Sequence, residues 1–337
     1  MPNGSTGPQE KTPHQLYEHL AQLDSGYTLD ACTQYAAWIH EIHEMKRRHN
    51  AVILAHNYQR PEIFEVADVI GDSLELARQS KQVASDVVVF CGVHFMAETA
   101  KIVNPERMVL LPDLQAGCSL AESITGEALA DRKEELRQVY PDLQVVCYVN
   151  TTADVKAESD VCCTSSNAIQ VVEALDTENI LFVPDENLAR YVQNETSKNI
   201  IAWQGNCYVH HQITPEQIQE VRDKLPQVKV LVHPECREDV LALADAVLST
   251  SAMMRYAKES PAQEFLIVTE CGLSDRLLLE VPEKKFYKSC KLCAYMKMIT
   301  LEGVRDSLRD GRFEITLPEE TRIGAQRSLD RMLALNA

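Results

Sequence analysis

The fold is decided by three segments, AVILAHNYQ (51–59), QVVCYVNTT (144–152) and VKVLVHPEC (228–236). Each is a hydrophobic run, rich in β-branched residues, that ends in a polar trio, and such runs predict buried strands. The trios are His56-Asn57-Tyr58, Tyr148-Val149-Asn150 and His233-Pro234-Glu235. Three similar segments in one chain indicate an internal repeat, which fixes the architecture before other features are interpreted.

Two more landmarks recur at matching distances from the three trios. A hydroxyl residue lies 17 residues after the first member of each trio, and a cysteine lies 59 to 62 residues after it. The hydroxyl residues are Ser73, Ser165 and Thr250, and the cysteines are Cys118, Cys207 and Cys293. The coincidence of three landmarks supports a threefold repeat.

Short apolar strands alternate with amphipathic helices in each copy, which predicts parallel sheets covered by helices on both faces. We therefore expect an α/β protein of three similar three-layer α/β/α domains about a pseudo-threefold axis. The predicted domains are residues 49–140, 141–225 and 226–305. Residues 1–48 form an N-terminal extension with a helix at 29–48 after an irregular polar start, and residues 306–337 form a C-terminal extension with a terminal helix.

The composition narrows the class of protein. Among 337 residues, 45% are hydrophobic and 25% charged, as in globular proteins, and the formal net charge is −17. A charge of this sign repels nucleic acid and anionic lipid, so neither is an expected partner. The chain has no pattern of a secretory leader or a membrane span, and we expect it in the cytoplasm.

The recurring landmarks predict one shared site. Functional groups gather at the carboxyl ends of parallel strands, where the trios lie. A serine or threonine just before a helix can cap it, and the free N–H groups of that helix end can bind an anion. If the domains meet about a threefold axis, all nine landmarks converge on one cleft.

The chain has eleven cysteines, an odd and dispersed set that disfavours a disulfide framework. Cys118 and Cys207 follow glycine in turn-like segments, where a cofactor can approach the backbone, and they are candidate metal ligands. Cys290 and Cys293 form a C-x-x-C pair, and either could be the third ligand. Five others lie in or beside apolar runs and are expected to be ordinary buried thiols: Cys91, Cys147, Cys162, Cys163 and Cys271.

Three thiolates, one from each copy, are too few for structural zinc, which takes four protein ligands. They suit a [4Fe-4S] cluster with one open iron, which can act as a Lewis acid. His56 and His233 end predicted strands, and Glu235, the one carboxylate in the trios, is either a base or a solvated loop residue. Four other histidines are expected to be structural: His14, His40, His43 and His210.

Several motifs resemble the type A quinolinate synthase family over roughly residues 50–305. They are ILAHNYQ, GDSLELA, CGVHFMAETAKI, LPDLQAGCSLAES, YVNTTADVKAESD, TSSNA, VHPEC, STSAM and CAYMKMITLE. The resemblance implies three α/β/α domains around a [4Fe-4S] cluster held by Cys118, Cys207 and Cys293, with Cys290 as a bystander. Some members have a longer cysteine motif at this point and a regulatory disulfide, which we do not expect in this chain.

The resemblance also implies a reaction. Iminoaspartate and dihydroxyacetone phosphate condense to quinolinate, phosphate and water in de novo NAD biosynthesis, and the open iron assists dehydration. The imine arrives free or from an L-aspartate oxidase or dehydrogenase. Glu235, His233 and Tyr58 are implied as catalytic residues, with Tyr58 closing over the cleft. The implied substrate-binding residues are His56, Ser73, Tyr148, Val149, Asn150, Ser165, His233, Pro234, Glu235 and Thr250.

Two alternatives remain open on the sequence alone. One is a different open-cluster [4Fe-4S] hydro-lyase that acts on a hydroxy acid. The other is a metal-dependent sensor of a small ligand that binds zinc tightly, with Cys290 as a fourth ligand.

Overall fold

A computed structural model of the chain describes residues 10–23 and 26–335. The N-terminal segment contains helices α1 (Pro13–Leu20) and α2 (Leu29–Arg48). The first repeat contains β1 (Ala51–His56), α3 (Pro61–Phe64), β2 (Val69–Gly71), α4 (Ser73–Gln82), β3 (Val87–Cys91), α5 (His94–Val103) and β4 (Met108–Leu110). A 3₁₀ turn (Ala121–Ser123) and α6 (Gly126–Arg137) lead to the second repeat.

The second repeat contains β5 (Gln144–Tyr148), α7 (Ala153–Ala157), β6 (Val161–Cys163), α8 (Ala168–Glu173), β7 (Asn179–Val183), α9 (Glu186–Asn194) and β8 (Asn199–Ala202). Helices α10 (Tyr208–His211) and α11 (Pro215–Lys224) follow. The third repeat contains β9 (Lys229–Val232), α12 (Glu238–Leu241), β10 (Ala246–Val247), α13 (Thr250–Glu259), β11 (Glu264–Val268), α14 (Cys271–Glu280) and β12 (Lys285–Lys288). The chain continues through a 3₁₀ turn (Met296–Met298), α15 (Leu301–Asp310) and α16 (Glu319–Ala334).

The three repeats share one sheet topology. The strand orders are β2-β1-β3-β4, β6-β5-β7-β8 and β10-β9-β11-β12, and every pair of neighbouring strands in these sheets is parallel. Parallel neighbours need a crossover, and helices make these connections. The predicted fold class, three similar α/β/α domains, is confirmed.

The third sheet shows why these runs are strands buried on both faces. Along β11, Phe265 and Ile267 belong to one hydrophobic cluster, and Leu266 and Val268 belong to another on the opposite face. Successive strand side chains point to opposite faces, so a continuous apolar run fills two cores at once. Each such side chain contributes roughly 1.5–3 kcal/mol when fully buried.

An aspartate makes the same pair of hydrogen bonds to the first strand of each repeat. Asp68, Asp160 and Asp245 each accept the N–H of the residue 15 positions earlier through their carboxylates, at 2.8, 2.7 and 2.9 Å. Each also donates its own N–H to the carbonyl of that same residue. The three aspartates lie 12 residues after His56, Tyr148 and His233, a fourth recurring landmark that was not predicted.

The N-terminal segment is partly more regular than expected. Helix α2 has the predicted bounds. The start of the chain, expected to be irregular, contains α1, which begins with a capping box between Thr12 and Gln15 and buries Leu16 and Leu20. These leucines join the core of the first domain, and this tertiary packing stabilises a helix too short to persist alone. Residues 1–9 and 24–25 of the predicted irregular region lie outside the described residues.

Four edge strands were not predicted: β2, β6, β10 and β12. Strand β2 separates α3 from α4, so residues 61–80 do not form one continuous helix. The strands β2, β6 and β10 are only two or three residues long, so they carry too little alternation to identify. Strand β12 (KFYK) has lysine at both ends, a common feature of sheet edges.

The two C-terminal helices have different main partners. Helix α15 contacts α2 and β3, and α16 contacts chiefly α7 and β6 of the second domain, as well as α5 of the first. The domain boundaries proposed from the sequence stay predictions. None of the described helices combines the length and the apolar character that crossing a membrane requires.

Candidate active site

One cavity lies where the three domains meet. It is lined by strand-end residues of all three repeats: His56 and Tyr58, Tyr148 and Asn150, and His233 and Glu235. The hydroxyl residues Ser73, Ser165 and Thr250 and the cysteines Cys118, Cys207 and Cys293 line it as well. The structure therefore brings together most of the predicted site. Val149 and Pro234 do not line this cavity, and Val149 lies beside a smaller cavity next to Ser73.

The three hydroxyl residues were expected to cap helices, but they do not. Ser73 and Thr250 are the first residues of α4 and α13, and Ser165 lies in the turn before α8. The residue before Ser73, Asp72, caps α4 by accepting the N–H of Glu75 at 3.0 Å. The hydroxyls are therefore free of the capping role and stand at the cavity wall, beside the first N–H groups of α4 and α13.

Asp72 also links the three domains. Its Oδ2 atom accepts a hydrogen bond from Ser166 of the second domain at 2.9 Å and from Ser249 of the third at 3.5 Å. These serines directly follow or precede Ser165 and Thr250. One carboxylate thus fixes the relative position of all three hydroxyl residues.

His56 and His233 are held in the same tautomer by the same local contact. The Nδ1 atom of His56 accepts the N–H of Tyr58 at 3.2 Å, and that of His233 accepts the N–H of Glu235 at 3.4 Å. A backbone N–H can only donate, so Nδ1 is unprotonated and Nε2 carries the hydrogen. Burial lowers the pKa of His56 to about 4 and that of His233 to about 3, so both rings are neutral at pH 7.

Glu235 is the buried carboxylate of the cavity. Its Oε2 lies 2.6 Å from His210 Nδ1, and its Oε1 accepts from Asn150 Nδ2 at 3.3 Å. Burial opposes its charge, but the neighbouring histidines and Tyr148 outweigh this and lower its pKa to about 2. The carboxylate is therefore ionised at pH 7. It is only 2% exposed, so it is not the solvated loop residue that the sequence left open.

His210 was expected to be a structural residue, but it lies in the cavity wall. It stacks on His233 with ring centroids 4.6 Å apart and lies 3.3 Å from the sulfur of Cys207. Its Nε2 atom is 2.8 Å from Thr269 Oγ1, which is 2.6 Å from the hydroxyl of Tyr58. A continuous hydrogen-bonded chain thus joins Tyr58 to Glu235 through Thr269 and His210. The C-x-x-H spacing after Cys207 was the available signal.

Burial raises the pKa of all three cavity cysteines, that of Cys118 to about 12. Carboxylates hold two of them in place: Asp185 accepts the N–H of Cys207 at 3.1 Å, and Glu270 accepts the N–H of Cys293 at 3.1 Å. Both carboxylates occupy the N-cap positions of helices that follow the third strand of their domain, α9 and α14. Neither carboxylate was predicted as a site residue from the sequence.

A buried ion pair connects the Cys293 loop to Tyr58. Glu270 is 1% exposed and lies 3.2 Å from Lys297 Nζ, which also donates to the carbonyl of Tyr58. The N–H of Gly272 donates to the second oxygen of Glu270 at 2.6 Å. A side chain at Gly272 would meet the Tyr58 carbonyl oxygen at 2.6 Å, so glycine is required by this close approach.

Cys271 and Cys290 form a disulfide, which corrects two predictions. Cys271 was expected to be an ordinary buried thiol, and no disulfide was expected in the chain. The two residues are 19 positions apart, but the start of α14 and the loop after β12 bring their Cα atoms to 5.1 Å. Cys290 therefore has no free thiol. Cys91, Cys147, Cys162 and Cys163 are buried free thiols, as predicted.

The fold and the candidate site together define a protein of three α/β/α repeats with one buried cavity, which is lined by three cysteines and a set of acid–base side chains. A model of the family described as "Quinolinate synthetase A protein" matches residues 40–334. The chain is 51% identical to quinolinate synthase of Xylella fastidiosa over 298 residues, which cover 88% of this chain and 87% of that protein.

Two further relatives have the same name. Quinolinate synthase of Methanosarcina barkeri is 48% identical over 304 residues (90% of this chain and 99% of that protein). Quinolinate synthase of Sinorhizobium medicae is 47% identical over 326 residues (96% and 89%). The chain belongs to the quinolinate synthase family.

Proposed function

We propose that the chain is a quinolinate synthase, which condenses iminoaspartate with dihydroxyacetone phosphate to quinolinate, phosphate and water in NAD biosynthesis. The observation that carries this proposal is the convergence of three cysteines, one from each repeat, with three polar strand ends on one buried cavity. Family membership supports the same reaction.

The cavity thiols fit a [4Fe-4S] cluster better than one metal ion. Among the residues that the structure describes, the one group of ligand atoms that all lie within 4.8 Å is Cys207, His210 and Glu235, so the three sulfurs are not gathered around one centre. A cubane separates its ligands further than a tetrahedral ion does. Cys290 is bonded to Cys271, which leaves three free thiols for the site.

We assign the cluster ligands as Cys118, Cys207 and Cys293. A cluster held in this way supplies an open iron that acts as a Lewis acid toward a hydroxyl or a carboxylate oxygen. Asp185 and Glu270 orient the second and third ligands through their N–H groups.

Glu235 is the proposed general base. The reaction removes protons next to an imine or carbonyl carbon, and an ionised, buried carboxylate can accept them. The chain through His210 and Thr269 leads from Glu235 to the hydroxyl of Tyr58, along which a proton can be passed on. Burial raises the pKa of Tyr58 well above 10, so its hydroxyl keeps its proton at pH 7 and can donate a hydrogen bond.

Neutral groups bind the anionic substrates in our proposal. His56 and His233 each present a protonated Nε2 without a positive charge. Ser73, Ser165 and Thr250 add hydroxyls, and the first turns of α4 and α13 add N–H groups and the positive end of the helix dipole. The net charge of −17 acts at longer range and is screened by salt.

The imine must come from oxidation of aspartate, so we propose an L-aspartate oxidase or dehydrogenase as the functional partner upstream. A location in the cytoplasm stays a prediction from the sequence.

The decisive experiment is anaerobic reconstitution with iron and sulfide, followed by an assay for quinolinate. We expect a brown protein with four irons per cluster that forms quinolinate. Cys118→Ala, Cys207→Ala and Cys293→Ala should each lose iron and activity. Cys91→Ala is the matched control, since it removes a buried thiol of the first domain outside the cavity. Full iron content in any of the three ligand variants would contradict the assignment.

A further inference from the structure

Three cavity side chains that belong to different chemical types lie close enough to hold one metal ion. One ligand atom each from Cys207, His210 and Glu235 lies within 4.8 Å of the other two. Cys207 immediately precedes α10 and His210 lies one helical turn later, so both side chains face the same direction. Glu235 lies three residues after the end of β9. Thiolate, imidazole and carboxylate are the three donor types that bind zinc in proteins.

The charge at this point also favours a cation. His210 and Glu235 are both 2% exposed. Within the described part of the chain, the basic groups within 4.0 Å of the Glu235 carboxylate are His210 at 2.6 Å and His233 at 3.7 Å, with no lysine or arginine. A buried carboxylate without a permanent positive partner is costly, and a divalent cation would compensate it.

Partners outside the trio are already in place. The Nε2 atom of His210 lies 2.8 Å from the hydroxyl of Thr269, which can accept its hydrogen when Nδ1 binds a metal. The other oxygen of Glu235 accepts from Asn150. Zinc ligands about 2.0 Å from the ion lie about 3.3 Å apart in a tetrahedron, so the His210–Glu235 pair needs to open by less than about 1 Å.

We propose that the cluster-free protein binds one Zn²⁺ ion at Cys207, His210 and Glu235, with the fourth position taken by water. Binding releases the thiol proton of Cys207 to solvent. The ring hydrogen of His210 moves from Nδ1, which binds the metal, to Nε2, so the imidazole stays neutral and one proton is released in total. Cys207 is also a proposed cluster ligand, so bound zinc excludes the cluster. This competition rests on the proposed function, whereas zinc binding does not.

The test is a titration of the cluster-free full-length chain with Zn²⁺, with thiols kept reduced, against a chelator of known affinity. We expect one ion per chain, and at least about 100-fold weaker binding in Cys207→Ser, His210→Gln and Glu235→Gln, since even loss of an outer partner costs 10–100-fold. Cys118→Ser and Cys293→Ser are matched controls, because they remove cavity thiols outside the trio, and they should keep the affinity.

A second measurement does not depend on how well the variants fold. Co²⁺ bound to the unmodified chain should show a charge-transfer band with the intensity of one thiolate. A band with the intensity of three thiolates would overturn the trio. So would a loss of zinc affinity in Cys118→Ser as large as that in Cys207→Ser, or the absence of zinc binding. Zinc-loaded protein should take up less iron and sulfide than zinc-free protein, and equal uptake would overturn the competition. If zinc-free protein forms no cluster, the proposed function fails but the zinc titration still decides the site.

Discussion

The carboxylate of Glu270 accepts the backbone N–H of Cys293 at 3.1 Å, just as Asp185 accepts that of Cys207 in the preceding domain. In Glu270→Gln, one of the two side-chain atoms becomes a donor, so it cannot accept from both Cys293 and Gly272. We expect the free energy of unfolding to fall by at least about 1–3 kcal/mol, because one buried N–H loses its partner and Lys297 loses its anionic partner. Iron content after reconstitution should fall as well.

Glu264→Gln is the control for this prediction. Glu264 pairs with Lys285 at the surface of the same domain, and exposed pairs contribute at most about 1 kcal/mol. Denaturant unfolding and iron analysis measure both variants. If Glu270→Gln matches Glu264→Gln in both, Glu270 does not hold the ligand loop.

The two neutral histidines should make the cluster-free protein sensitive to mild acid. The folded pKa values of His56 and His233, about 4 and about 3, lie below the usual value of 6.5. Between about pH 6.5 and 4 the unfolded chain therefore binds protons that the folded chain does not, and the free energy of unfolding decreases as the pH falls. The limiting slope is about 1.4 kcal/mol per pH unit for each histidine.

Denaturant unfolding between pH 7.5 and 5 measures this slope. The double variant His56→Asn/His233→Asn should show a clearly smaller slope, and His14→Gln, at an exposed position, should match the unmodified chain. Glu235 does not contribute in this range, because its stabilisation is lost only as the pH falls from about 4.5 toward its folded pKa of about 2. An unchanged slope in the double variant would argue against neutral, buried rings.

The contact between Asp72 and Ser166 should couple the first and second domains. Hydrogen bonds to charged groups contribute about 1.5–3 kcal/mol, and loss of an N-cap costs about 1 kcal/mol. Ser166→Ala removes only the first contribution, whereas Asp72→Ala removes both and also the longer contact with Ser249. A double-mutant cycle should give a coupling energy of at least about 1 kcal/mol, while additive effects would show that the contact is not energetically significant.

The disulfide between Cys271 and Cys290 should stabilise the third domain without serving the cofactor. A crosslink across 19 positions contributes about 3 kcal/mol through loop closure. Cys290→Ser should lose this stability and become insensitive to reductant, and the reduced unmodified chain should resemble it. Iron content should be unchanged. Loss of iron in Cys290→Ser would instead make Cys290 a ligand.

Much of the fold and site could be predicted because the sequence repeats its landmarks. The trios, the hydroxyl residues and the cysteines lie at or after the ends of the first, second and fourth strands of their repeats, and parallel sheets place the residues at such strand ends together. What escaped prediction depends on contacts between different repeats or between distant loops. Cys271 and Cys290 meet only after α14 and β12 are packed, and Asp72 reaches serines of both other domains only when the three sheets are assembled.

The role of His210 and the presence of α1 escaped prediction for different reasons. A single histidine in a short helix has no periodic pattern, and the C-x-x-H spacing after Cys207 is a weak signal by itself. The contacts of His210 with Glu235 and Cys207 are what place it in the site. Helix α1 is eight residues long, and the Thr12 and Gln15 spacing of its capping box is a helix-start signal that is present in the sequence but was not used.

The position of α16 affects the order in which the chain can mature during synthesis. This helix places Ala325, Leu329 and Met332 in the core of the second domain, and its Ser328 donates to the carbonyl of Lys156 at 2.8 Å. The last strand of that domain ends at Ala202, whereas α16 begins at Glu319. A nascent chain on the ribosome therefore exposes the apolar side of α7 and β6 while the entire third domain is translated, and the middle of the protein is the part that is completed last.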